Sequence, residues 1–230
     1  MFSKKLKTTM VAASLCFGAG SAQAVPEIAL WLSMDGSGSI SNTEFTQQVD
    51  AYLAALQKVF DDTPANFGRV AIGGSVFGAD VVEFYTPTEI GDQTDLDALK
   101  AAIDALDPGR AGVNPNATAL GDAIQDAGDA LTAYETGLGV DIQLIMDLTT
   151  DGSWNTGANP TTVAEAITPS PIDAVNCLGI GAGADCTWVG SAGKNFGVVD
   201  LDEFEAALAE KLRVEMPEPS VVALIGAGIV

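Results

Sequence analysis

The chain has 230 residues, 47% of them hydrophobic, which suffices for one full-sized core, and a formal charge of −21 with no histidine. The missing imidazole excludes Ser-His-Asp and Cys-His catalysis and any histidine-bound metal, so a metal here must use oxygen ligands, as Mg²⁺, Mn²⁺ or Ca²⁺ do. The acidic balance argues against nucleic acid and anionic lipid as partners and fits solubility outside a cell.

In chain order, the first feature is a leader. Lys4, Lys5 and Lys7 form a positive start, residues 8–20 are largely apolar, and Ala22-Gln23-Ala24 is a small-x-small cleavage signature. A secretory signal peptide over residues 1–24 is expected, with Val25 opening the mature chain. Its loss removes three lysines and no acids, taking the charge from −21 to −24. Leu15 precedes Cys16 where a lipoprotein signal wants a small residue, which argues against a lipid anchor.

Residues 28–34, IALWLSM, form an apolar run of the kind found in strands buried on both faces. Residues 42–60 carry Phe45, Val49, Tyr52, Leu53, Leu56 and Phe60 at helical spacing. Residues 68–87 predict two strands joined by a tight Gly-Ala-Asp turn. Helices are expected over 94–106 and 116–134, a strand over 141–152, a short helix over 159–168, strands over 172–181 and 195–200, and a last helix over 201–212. Such alternation predicts an α/β fold: a doubly wound, mostly parallel central sheet with one antiparallel edge strand and helices on both faces. Ligands of such sheets bind beyond the carboxyl ends of the strands. Asp35 and Asp151 each lie just past a predicted strand, and Thr118 lies in a loop entering a helix, so one sheet edge can gather all three.

Asp35, Ser37 and Ser39 stand in the stretch DGSGSI, spaced by Gly36 and Gly38. A hard cation wants about six oxygens, and a turn of this pattern can bring three together, with the glycines allowing the backbone to turn tightly. Hydroxyl ligands are neutral, so the ion stays electrophilic and a partner's carboxylate can complete its shell. The aspartates can then act from behind, through water or serine.

These residues resemble the von Willebrand factor A domain family and its metal-ion-dependent adhesion site. Asp35, Ser37 and Ser39 match the family's D-x-S-x-S motif, Thr118 in NATALGDAI its threonine, and Asp151 in LTTDGSWN its later aspartate. The likeness spans residues 28–212. It implies a Rossmann-like fold, contact of Ser37, Ser39 and Thr118 with Mg²⁺ or Mn²⁺ (Ca²⁺ also suits the donors), and Asp35 and Asp151 acting mostly through water. The run IMDLTTDGSWN is similar to an uncharacterised bacterial branch of the family, and that likeness gives Asp147 a structural role outside the site.

The DGSGS stretch can be a turn in which Ser39 or Ser41 only caps the next helix. An EF-hand fits poorly, because Ile40 and Thr46 stand where that loop needs glycine and glutamate. The GIGAGAD stretch, residues 179–185, lacks dinucleotide-loop spacing and is a loop after a strand. Residues 107–110, Asp-Pro-Gly-Arg, are a turn with no site implied. Trp154 either lines the rim of the metal face or packs. Cys177 and Cys186, nine residues apart in an exported chain, are expected to form a disulfide rather than remain buried thiols.

The end of the chain has its own signature. Pro217-Glu218-Pro219 precedes an apolar run over residues 221–230. This resembles the PEP-CTERM sorting signal of Gram-negative bacteria that make exopolysaccharide. The resemblance implies an exosortase-like processing partner and a secreted or cell-surface location. The run has only ten residues, too few to span a bilayer, and lacks the usual basic end. The organisation is thus a leader over 1–24, one domain over 25–215 and a sorting tail over 216–230. The expected function is an exported binding or adhesion module, not an enzyme, that grips an acidic group of a protein or polysaccharide through its metal. The alternative is a structural matrix or envelope protein whose metal only stabilises the fold. Metal-assisted hydrolysis ranks last, because the motif supplies neither a second metal nor a base.

Overall fold

A computed structural model of the chain describes residues 25–107 and 109–217. The leader with its Ala24 cleavage site, and Glu218 and Pro219 of the tail, lie outside the described residues. The elements run β1 (Ile28–Asp35), α1 (Asn42–Asp62), β2 (Val70–Phe77), β3 (Val81–Glu89), α2 (Gln93–Asp104), α3 (Leu120–Leu138), β4 (Gln143–Thr150), α4 (Pro160–Ile167), β5 (Ala174–Ile180), β6 (Asn195–Val199) and α5 (Leu201–Glu215). They build one six-stranded sheet in the order β3-β2-β1-β4-β5-β6. Every neighbouring pair is parallel except the β2–β3 hairpin, which makes β3 the antiparallel edge. Pro87 sits in that edge strand, where a missing ladder donor costs least.

The period of two along β1 decides what covers each face. Ile28, Leu30, Leu32 and Met34 pack with α1, α2 and α5, while Ala29 and Trp31 pack with α3 and α4. Both faces are therefore dry, which is why β1 reads as an unbroken apolar run. Ser41 caps α1 in a capping box with Glu44. Helix α3 begins at Leu120, four residues later than the sequence predicts, because Thr118 pairs with the loop after β4 instead of starting a helix. Thr118 N–H donates to Asn155 Oδ1 at 2.9 Å, and Asn116 N–H to Asn114 Oδ1 at 3.2 Å.

One buried polar group breaks the apolar layer under α5. Lys211 is fully buried, with its ammonium against the buried carboxylates of Asp147 on β4 and Glu215 one turn on in the same helix. Asn176 Nδ2 donates to Glu215 Oε1 at 2.8 Å, and Tyr52 O–H donates to Asp147 Oδ1 at 3.3 Å.

The two ends of the described chain meet at the amino-terminal pole of the sheet. Glu27 N–H donates to Arg69 O at 2.7 Å, and Met216 Sδ accepts from Asn66 Nδ2 at 3.4 Å. Among the described residues no helix is long and apolar enough to cross a membrane.

Candidate metal centre

The strand order reverses between β1 and β4, and the crevice at the carboxyl ends of that pair is the ligand position of such sheets. Asp35 ends β1, and Thr150 beside it ends β4. Asp35 is fully buried. Its Oδ1 accepts from Ser37 N–H at 2.8 Å and its Oδ2 from the Thr150 hydroxyl at 2.6 Å. Ser37 and Ser39 bring their hydroxyl oxygens within 2.9 Å of each other, and Ser39 donates to Asp151 Oδ1 at 2.6 Å. Thr118 completes the group. A Cβ placed on Gly152 would lie 3.5 Å from Ser39 Oγ and 3.9 Å from Thr118 Oγ1, so both hydroxyls converge over that glycine.

All five residues expected at the site, Asp35, Ser37, Ser39, Thr118 and Asp151, are thus gathered at one sheet edge. Because Ser41 caps α1, the Ser39 hydroxyl is left to the cluster. The glycines have a different role from the one expected. Neither has a positive φ; they allow close approach instead. A Cβ on Gly36 would meet Val76 Cγ1 at 2.6 Å and one on Gly38 would meet Pro115 O at 2.8 Å. Gly38 N–H donates to that same carbonyl at 2.7 Å.

Residues 107–110 also need correction, because Arg110 belongs to the site. Its buried guanidinium donates to Gly36 O at 2.9 Å and Ser37 O at 2.7 Å, to Ile40 O, and to Asn42 Oδ1 at 3.2 Å. It also stands 5.2 Å from the centre of the Phe45 ring. Arg110 and Ala111 carry φ values of 51° and 53°, a left-handed backbone that non-glycine residues adopt at a cost and that turns the side chain inward. Thr150, which holds Asp35, is the other contributor the sequence did not single out.

Burial dominates the electrostatics of both carboxylates. Burial pushes the Asp35 carboxyl up to about 6, against the hydrogen bonds from Thr150 and Ser37 and with added repulsion from Asp151. Asp151 is raised too, first by burial, with Ser39 opposing and Glu44 adding to the shift. Among the described residues no three His, Cys, Asp or Glu side chains cluster as a metal site. The donors present are instead hydroxyls backed by two carboxylates, a set suited to a hard cation.

Ser37, Ser39, Thr118 and Asn155 line a cleft of about 320 Å³ over the cluster, and two others lie towards Asp151 and Trp154. One of about 310 Å³ lies beside Ser39 and Asp151, closed by Ile40, Ile180, Gly181 and Leu201. The other, about 290 Å³, holds Trp154, 38% exposed, together with Trp188. Trp154 therefore is not core packing, and the cleft it lines contains none of the five site residues. Cys177 and Cys186 form the expected disulfide, with Cα atoms 5.6 Å apart, and tie the β5 strand to the turn that carries Trp188.

Solved structures share this fold. Proximal thread matrix protein 1 from the mussel byssus, with a zinc-occupied MIDAS motif, superposes with a TM-score of 0.65 at 20% identity over 84% of this chain and 48% of that one. A von Willebrand factor type A protein from Catenulispora acidiphila gives 0.64 at 17% identity, over 83% and 43% of the two chains. The pilus adhesin SpaC from Lactobacillus rhamnosus GG gives 0.59 at 16% identity, over 84% and 31%. The chain spans about half the length, or less, of these structures. At such identities the likeness establishes a von Willebrand A-type fold. No curated protein sequence matches the chain significantly. Residues 24–220 match one family profile, described as a protein of unknown function (DUF1194), and the chain belongs to that family.

Proposed function

We propose that this protein is a metal-dependent binding module. A divalent cation held by Ser37, Ser39 and Thr118 would grip a carboxylate on a protein or polysaccharide partner, and Asp35 and Asp151 would orient those hydroxyls. The observation that carries this reading is the convergence of neutral hydroxyls in front of a fully buried carboxylate. Bound there, the cation would supply an electrophilic centre with little protein charge on it. The reading is of binding rather than turnover, because the hydroxyls and carboxylates engage one another and the chain has no histidine to serve as base. The zinc in a neighbour's MIDAS adds Zn²⁺ to the ions worth testing beside Mg²⁺, Mn²⁺ and Ca²⁺. Export to a cell surface or matrix is supported by the disulfide, and the proposed leader and sorting tail agree with it.

Unfolding of the chelated protein, and of the protein with each ion, tests the site. An ion at a hundredfold excess over its dissociation constant should add about 2.7 kcal/mol to the stability. Ser39→Ala, at an exposed position, and Asp35→Asn, close in shape, should abolish the gain. If no ion stabilises the protein, the cluster is only a turn. If the ion stabilises it but a carboxylate ligand bound by the wild type also binds Ser39→Ala equally, the metal serves the fold alone.

A further inference from the structure

We infer that the cleft beside Trp154 is a binding site for a neutral sugar ring, separate from the metal centre. It is lined by Trp154 and Trp188, Asp185, and the polar side chains of Asn159, Thr161 and Thr187. Its volume of about 290 Å³ sits at the small end for ligand clefts, the scale of one ring rather than a folded segment.

Three observations choose the occupant. The first is an aromatic face with little aliphatic company. Trp154 is 38% exposed on a loop that cannot drift, because Asp151 is held by Ser39 at one end and Asn155 is bonded to Thr118 at the other. An exposed indole offers a flat apolar platform. The second is the rest of the wall, where Ser153, Asn159, Thr161, Asp185 and Thr187 are polar and Pro160 alone is apolar. An aliphatic peptide side chain would desolvate those polar groups without replacing water. A pyranose ring has an apolar face for the indole and hydroxyls around its edge for the wall. The third is Trp188, which lines the same cleft as Trp154 and adds a second aromatic side chain to its wall.

Charge selects neutral over acidic sugars. Asp185 Oδ1 accepts from Thr187 N–H at 2.9 Å and from the Thr187 hydroxyl at 2.6 Å, which fixes the carboxylate in the cleft. Those hydrogen bonds hold it below the usual carboxylate range, so it stays ionised. It can accept from a sugar hydroxyl, and it repels a uronic acid. The disulfide two residues before Trp188 fixes this wall before any ligand arrives.

Calorimetric titration of the protein with tetrasaccharides of glucose, mannose, galactose and galacturonic acid tests the assignment. At least one neutral tetrasaccharide should bind, more tightly than the acidic one. Trp154→Ala should weaken it about tenfold or more, while Trp154→Tyr retains most of the affinity. Binding should persist with chelator and in Asp35→Asn, so failure of the metal reading leaves this one standing. Absence of neutral-sugar binding, full binding by Trp154→Ala, or loss of binding on chelation overturns the proposal. A response to peptides in place of sugars would overturn it as well.

Discussion

Replacing Lys211 with methionine should destabilise the protein by about 3–5 kcal/mol, the usual cost of breaking a buried ion pair from one side. Methionine keeps the apolar stem and removes only the ammonium. The Asp147 carboxylate then stays buried with its charge uncompensated beneath α5. Urea denaturation measures the loss directly, and a change below about 1 kcal/mol would show that water reaches the site. Adding Asp147→Asn should recover part of the loss, because the cost lies in the stranded charge and not in the missing bond.

The same cluster gives a pH dependence with a definite sign. Burial holds the Glu215 carboxyl well above its ordinary 4.5, opposed by Lys211 and reinforced by the charge of Asp147. Glu215 Oε2 has no hydrogen-bond partner among the described residues, and a retained proton there can be donated towards Asp147. Asn176 from β5 and Tyr52 from α1 close the remaining sides. The unfolded chain releases this proton near 4.5 and the folded chain keeps it. Stability contributed by Glu215 is therefore greatest at low pH and falls as pH rises through that window, by at most about 1.4 kcal/mol per pH unit. Glu215→Gln mimics the protonated acid. Its stability relative to the wild type should grow as pH rises above about 4.5. Parallel curves for the two proteins would mean that Glu215 is ionised in the fold.

Arg110→Ala should cost about 3 kcal/mol of stability, because it removes the guanidinium donor from the Gly36 and Ile40 carbonyls and one of two donors from that of Ser37. Its effect on metal affinity should be larger than its distance from the hydroxyls suggests, a loss of about 10–100-fold. The guanidinium holds the carbonyls of Gly36, Ser37 and Ile40 together, and with them the spacing of Ser37 and Ser39. Arg110→Lys keeps the charge but not the planar fork that reaches several carbonyls at once. It should fall close to alanine in a Mn²⁺ titration. Wild-type affinity in Arg110→Lys would reduce the residue to a charge effect on Asp151.

What the sequence made legible follows from where each signal resides. Asp35, Ser37 and Ser39 lie within five residues, and their side chains carry their role. Thr118 and Asp151 are distant, and came into view because each ends or opens an element whose hydrophobic pattern is clear. Arg110 left no such trace. Its partners are backbone carbonyls, which no residue type announces, and it follows a Pro-Gly pair that signals only a turn. The hydroxyl of Thr150 rather than Thr149 reaches Asp35, a choice made by strand register that two adjacent threonines conceal. Lys211 could have been found. It lies on the stripe of Phe204, Leu208, Leu212 and Glu215, so a lysine and a glutamate four apart occupied the face that α5 buries. The late start of α3 was hidden for a different reason. Residues 116–119 show no breaker, and the tertiary bonds of Thr118 N–H to Asn155 and of Ala119 N–H to Gly78 O hold them out of the helix.

The two ends of the described chain and the candidate metal centre occupy opposite poles of the sheet, and this fixes how the domain would carry tension. The eight residues of β1 set the poles about 26 Å apart. A pull from the amino terminus against a ligand at Ser37 and Ser39 would run along β1 itself. That strand is hydrogen-bonded on both sides, to β2 and β4, so the load shears two ladders at once instead of unzipping one. A pull from residue 217 would first peel α5 from the sheet, and there the clasp of Lys211 on Asp147 is what resists. The end by which the protein is tethered would thus decide whether it yields as a rigid strand or as a releasing helix.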